Sequence, residues 1–247
     1  MNDPHKLFER AHHLLEQTSG GDRLDAAARL LREAADRGHS GAANNLGVLL
    51  QHGRGTLADL QDARSYYAMA ADAGLPAAQF NLGFMYLNGL GGDQDPAIAR
   101  QLFELAAAGE DIDALSHLGR MAMLGYGGAQ DPEAARAYWE TGAALGDNRC
   151  AFNLGVAAAG GHGAPPDFVR AHGWFRRAET LGNPGAAAEL RKLDAVMDET
   201  ERSQVMADQA GEHQRSAGYR DKPGRNLAGL DTGQRLSRDL LGGSDAG

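Results

Sequence analysis

The dipeptide Leu-Gly recurs at Leu46-Gly47, Leu82-Gly83, Leu118-Gly119 and Leu154-Gly155, each 36 residues after the last. A fixed step of this length marks a repeat array, in which each unit buries its apolar face only against its neighbours. Other columns keep the same step. Asp59 leads to Asp95, Asp131 and Asp167, Ala63 to Ala99, Ala135 and Ala171, and the aromatic Tyr67 to Phe103, Trp139 and Phe175. Paired glycines follow each Leu-Gly, at Gly53 and Gly55, Gly89 and Gly91, Gly125 and Gly127, and Gly161 and Gly163.

Each column has a physical task within a two-helix unit. From Ala42 to Gln51 the pattern is helical, with Leu46 and Leu50 on one face and Gly47 open to close approach by a second helix. The glycine pairs suit left-handed helix ends that turn the chain. The aspartates sit where a side chain can cap the N–H groups of the second helix, and a proline occupies the first helical position in Asp95-Pro96 and Asp131-Pro132. Ser40 and Asn148 are expected to cap first helices. The spacing thus predicts an all-α array with helices over 5–17, 24–37, 41–52, 59–73, 77–88, 95–109, 113–124, 131–145, 149–160 and 167–181, and no strand. Residues 1–40 are read as a capping helix pair, where Arg10 replaces Leu but Ala11 and Leu14 still fit. Four repeats follow at 41–76, 77–112, 113–148 and 149–184. A capping helix over 185–215, continuous or broken, and a disordered tail over 216–247 complete the chain.

The net charge of −9 over 247 residues disfavours nucleic acid or anionic lipid as a general partner. The N-terminal stretch carries charges throughout and no run approaches a membrane span, so a cytoplasmic location without membrane insertion is expected. Cys150 is the only cysteine, which leaves no internal disulfide and no multi-cysteine metal site. It reads as a buried small side chain.

The segments AQFNLGFMYLNGLGGDQDPAIARQLFELAAAG and ALSHLGRMAMLGYGGAQDPEAARAYWETGAALG carry a resemblance. They are similar to the Sel-one-like repeat, a relative of the tetratricopeptide repeat, over about residues 22–190. The resemblance implies a right-handed α-solenoid of antiparallel helix pairs, and a role as adaptor in signalling, quality-control or envelope assemblies. Leu50, Ala122 and Ala158 stand where that pattern has tyrosine, and His172-Gly173 departs from it in the last second helix.

The search for chemistry finds no catalytic set, so no enzyme, cofactor or metal is expected. His12 and Glu16 share a helix face with His13 beside them, but a zinc site of this spacing needs a second histidine at the Glu16 position. The Gly-x-Gly turns lack the following Lys-Ser/Thr and the preceding strand of a phosphate loop. No Gly-x-Ser-x-Gly elbow exists, and nothing couples Cys150 to a histidine base. His52, His117 and His162 fall in different columns. Asn45, Asn81 and Asn153, with His117 completing the column, read as interhelical hydrogen bonding. A hydrolase of β-lactamase-like or penicillin-binding type, as described for cysteine-rich relatives of the repeat, is the alternative; those relatives carry a disulfide in each repeat.

A scaffold for another protein or peptide is therefore the expected function. If the array resembles tetratricopeptide proteins, its inner groove is lined by Asn44, Val48 and Gln51, then Phe80, Phe84 and Leu87, then Ser116, Arg120 and Met123, then Phe152, Val156 and Ala159. Two readings of the apolar members stand side by side: an exposed groove for an amphipathic helix or extended peptide, and packing against adjacent helices. Only Arg120 suits a clamp for an acidic C-terminus. In the tail, Thr232 to Leu241 could form a short helix that seats Leu236 and Leu240 in that groove or on another protein; a solvated tail with no role is the alternative reading.

Overall fold

The computed structural model describes residues 3–16 and 21–217. The tail segment Thr232–Leu241 and its proposed helix lie outside them. Among the described residues every regular element is a helix. These are α1 (Pro4–Glu16), α2 (Gly21–Ala35), α3 (Ser40–His52), α4 (Leu60–Asp72), α5 (Pro76–Asn88), α6 (Pro96–Ala108), α7 (Ile112–Leu124), α8 (Pro132–Ala144), α9 (Asn148–Gly160), α10 (Phe168–Thr180), α11 (Ala186–Val196) and α12 (Glu199–Ala217). First helices start at 40, 76, 112 and 148, and second helices at 60, 96, 132 and 168, so the 36-residue step of the sequence is the step of the fold. The chain is an all-α solenoid of helix pairs. Its last capping segment is two helices, broken at Met197, whose extended backbone ends α11.

The chain divides into two compact units at Ala114 and Leu115, in the first turn of α7. In the first unit each helix packs on its successor from α1 to α6. α3 is enclosed: every residue from Ala42 to Leu50 is buried, in a cluster with Leu7 and Ala11 of α1, Leu31 of α2 and Tyr67 of α4. In the second unit α8 packs on α9, α9 on α10, and α10 on both α11 and α12. Phe175, Leu190, Leu193, Met197 and Val205 close its C-terminal end.

The columns explain the packing. The glycine of each Leu-Gly faces the aromatic ring of its own second helix: a Cβ on Gly47 would stand 2.7 Å from Tyr67 Cε1, and one on Gly155 2.7 Å from Phe175. The helices can approach only because glycine leaves that room for the ring. The paired turn glycines all have left-handed backbone, as at Gly53 (φ 62°) and Gly91 (φ 71°). Gly91 also lies so close to the preceding second helix that a Cβ would meet the Leu60 carbonyl.

Capping follows the aspartate column. Asp59 accepts from the Asp62 N–H at 2.9 Å, Asp95 from Ala97 and Ile98 at 3.0 Å, Asp131 from Ala134 at 2.9 Å and Asp167 from Arg170 at 2.8 Å. First helices are capped one residue earlier than expected. His39 Nδ1, not Ser40, accepts from the Ala42 N–H at 3.1 Å, and Asp147, not Asn148, accepts from Cys150 at 2.7 Å. Ser40 and Asn148 are already helical, so their side chains stand past the capping position.

Candidate functional site

First helices of such pairs are where a partner surface was expected, and the structure sorts those residues by burial. In the first unit Asn44 and Val48 are each 1% exposed and Leu87 is 8% exposed, so they do not supply contact surface. The enclosure of α3 removes Val48. Asn44 is committed to an amide chain: Asn81 Nδ2 donates to Asn44 Oδ1 at 3.0 Å, and Asn44 Nδ2 donates to Asn45 Oδ1 at 3.3 Å. The asparagine column therefore ties α5 to α3, with Asn44 as an added link. Gln51 Oε1 accepts from the Tyr67 hydroxyl at 3.0 Å. Phe80 and Phe84 keep partial exposure, and the Phe80 ring stacks at a tilt on Phe103 with centroids 5.5 Å apart.

In the second unit more of the expected surface is open. Arg120 is exposed, Ser116, Met123 and Ala159 are half-buried, and Val156 is 40% exposed. The Ser116 carbonyl accepts from Trp139 Nε1 at 3.3 Å, fixing the indole under α7. Phe152 leans on Phe175 with centroids 5.3 Å apart and joins the cluster that closes the unit. Phe80 and Phe152 thus hold equivalent places, each with one ring face on the second-helix aromatic.

The residues searched for chemistry fall into structural places. His12 Nδ1 lies 3.3 Å from Glu16 within α1, and no group of His, Cys, Asp or Glu among the described residues has metal-site geometry. The Cys150 thiol is buried; burial first, then the Asp147 carboxylate beside it, push its pKa well above the usual thiol range, so it is held protonated. Its sulfur fills space over Gly142, where a Cβ would collide with it. No described helix is long and apolar enough to cross a membrane.

Some contacts escape a reading by columns. Arg64 lies over the Tyr86 ring, 3.8 Å from its centroid, and donates to the Asp93 carbonyl at 3.2 Å. His39 stacks on Phe8 at 4.4 Å and meets His5 edge-on at 4.7 Å, which ties α1 to the start of α3. The signal for the first was the tyrosine position itself, filled at Tyr86 and empty at Ala158.

A family model of the Sel1 repeat matches residues 19–39, 40–75, 76–111, 112–147 and 148–183. The chain belongs to the Sel1-repeat family. Sel1 repeats form a fold that generally mediates protein–protein interaction. Among curated proteins none matches the chain. Among solved structures it is similar to a Sel1 repeat protein from Oxalobacter formigenes, at 24% identity over 83% of this chain and 84% of that one, with a TM-score of 0.72. It is also similar to a protective antigen of uropathogenic Escherichia coli with an SLR fold, at 25% identity and a TM-score of 0.72, covering 89% of this chain but 47% of that one. An immunity protein from Pseudomonas aeruginosa aligns at 21% identity over 92% of this chain and 86% of that one, with a TM-score of 0.50. At these identities the likeness is one of fold.

Proposed function

We propose that this Sel1-repeat chain is a non-catalytic adaptor that holds a segment of another protein against its first helices. The observation that supports it is the five-repeat match, because the fold that these repeats build generally serves protein–protein contact. The surfaces offered are Phe80 and Phe84 in the first unit, and Arg120, Met123 and Val156 backed by Phe152 in the second. Partly exposed aromatic and aliphatic side chains on helix faces fit an apolar or amphipathic segment, whereas a lone Arg120 gives little grip on an acidic terminus. A cytoplasmic setting fits a chain with one cysteine and net charge −9.

The test is crosslinked capture by the full chain from its native cell extract, comparing the parent with Phe84→Ala, Val156→Glu and, as a surface control, Asp72→Ala. The expected result is one partner set recovered by parent and control and lost by either face variant at an unchanged melting temperature. Equal recovery by all four proteins would sink the reading. Loss of recovery together with loss of melting temperature would assign Phe84 or Val156 to packing instead.

A further inference from the structure

The tyrosine position of the repeat is filled at Tyr86 and truncated at Ala158, two steps of 36 residues later, and the structure has a hollow there. A surface cavity of about 440 Å³ is lined by Arg136 of α8, Ala157 and Ala158 of α9, His162 and Ala164 to Pro166 of the turn, Phe168 and Trp174 of α10, and Glu201 of α12. That volume falls within the range of about 300–1,000 Å³ typical of pockets that take small ligands.

The filled repeat shows what belongs in such a place. There the Tyr86 ring lies under the Arg64 guanidinium, and Arg64 is the residue equivalent to Arg136. Three changes act together in the later repeat. Ala158 removes the ring, Ala157 replaces the fully buried Met85 beside it, and Ala164 replaces Gly92. The last change matters because a Cβ at Gly92 would collide with the Arg64 guanidinium, so Ala164 denies Arg136 that seat. Arg136 instead lies beside Gly163 and has no hydrogen-bond or ion-pair partner among the described residues. Its neighbour Arg170 is engaged by Glu140 at 3.1 Å, and Glu201 is engaged by the Asp198 N–H at 2.9 Å.

The geometry points to a socket for one aromatic side chain of a protein partner, seated between the Arg136 guanidinium and the walls made by Trp174, Phe168 and the two prolines. A cation and aromatic rings on one cavity discriminate a π-face from an aliphatic group of equal size, which a purely aliphatic hollow does not. The socket rests on the reading of the chain as a partner-binding protein. It shares no residue with the first-helix surfaces proposed above, and a small probe examines it without any partner.

The experiment is titration of the full ¹⁵N-labelled chain with N-acetyl-L-tyrosinamide and, separately, N-acetyl-L-leucinamide, following backbone amide shifts. Expected are saturable shifts confined to the cavity segments of α8, α9, the turn and α10, with the leucine probe several-fold weaker. Arg136→Met should weaken the tyrosine probe several-fold. Ala158→Tyr should abolish its effect and raise the melting temperature by filling the hollow from within. Equal response to both probes, shifts elsewhere only, or an unchanged response in Arg136→Met would overturn the socket; these readouts stand even if Ala158→Tyr fails to fold. A response that emerges only in a Tyr219→Ala chain would mean the chain's own tail supplies the ring, which overturns the assignment to a partner.

Discussion

At Gly119 a Cβ would run into the Trp139 indole, which is pinned by its bond to the Ser116 carbonyl, whereas at Gly83 the nearest atom is Phe103 Cδ1 at 3.1 Å. Alanine gains about 1 kcal/mol over glycine in helix propensity, and overpacking costs about 1–3 kcal/mol. Gly119→Ala should therefore lower the urea midpoint clearly, while Gly83→Ala stays within about 1 kcal/mol of the parent. Equal midpoints for the two variants would remove the ring contact as the reason for the column. The reverse case is Glu110, which has φ 68° where the other repeats have Gly38, Gly74, Gly146 and Gly182. A left-handed residue with a side chain costs about 1–2 kcal/mol, partly offset by the extra freedom glycine gives the unfolded chain. Glu110→Gly is expected to stabilise by about 0.5–1 kcal/mol, read as a rise in urea midpoint. The ring-facing column was legible in the sequence as a repeating glycine. What the ring column does was not, because spacing says that Trp139 recurs without saying that it lies on Gly119.

The second helices α4, α6, α8 and α10 begin with the same device, and Asp95 shows it best because one carboxylate oxygen takes two N–H groups. Asp95→Ala should cost about 1 kcal/mol, with Asp95→Asn recovering most of it, since the cap needs an oxygen and not a charge. Equal loss in both variants would count against capping. First-helix caps were read one residue late, because Ser40 and Asn148 are good cap types and His39 is a poor one; its ring earns the role through Phe8 and His5. At the other end of the chain α10 carries His172, mostly buried, with Nε2 3.6 Å from Asp194. Burial lowers its pKa from 6.5 and Arg176 adds to that, against the opposing carboxylates of Asp194 and Glu179. A base with a depressed folded pKa binds its proton more readily when unfolded. Its contribution is present above pH 6.5 and is lost as pH falls through the lowered value. The urea midpoint should drop as pH falls below 6.5, and less steeply in His172→Gln. Identical slopes in the two proteins would exclude His172 as a source.

Over the whole molecule, stability is expected to vary with how many neighbours enclose each helix, since repeats touch only the repeats beside them. The 36-residue step made the helix order and the two-helix unit legible, and the single cysteine left no internal disulfide to plan around. Which first-helix residues face out was not legible. The same column holds Val48 at 1% exposure and Val156 at 40%, a difference that the repeat spacing does not carry. That asymmetry makes a measurable claim. α3 buries nine consecutive residues, whereas in α12 Val205 is the buried one among residues 199–209. Amide hydrogen exchange should therefore be slowest in α3 and the facing stretch of α5, and fastest in α12, with the order preserved as urea is raised toward the midpoint. The free energies of local opening should differ along the chain, and Val205→Ala should accelerate exchange in α12 and α10 while leaving α3 unchanged. Uniform exchange rates from α3 to α12, or an equal response of α3 to Val205→Ala, would show one all-or-none unit and defeat the nearest-neighbour account.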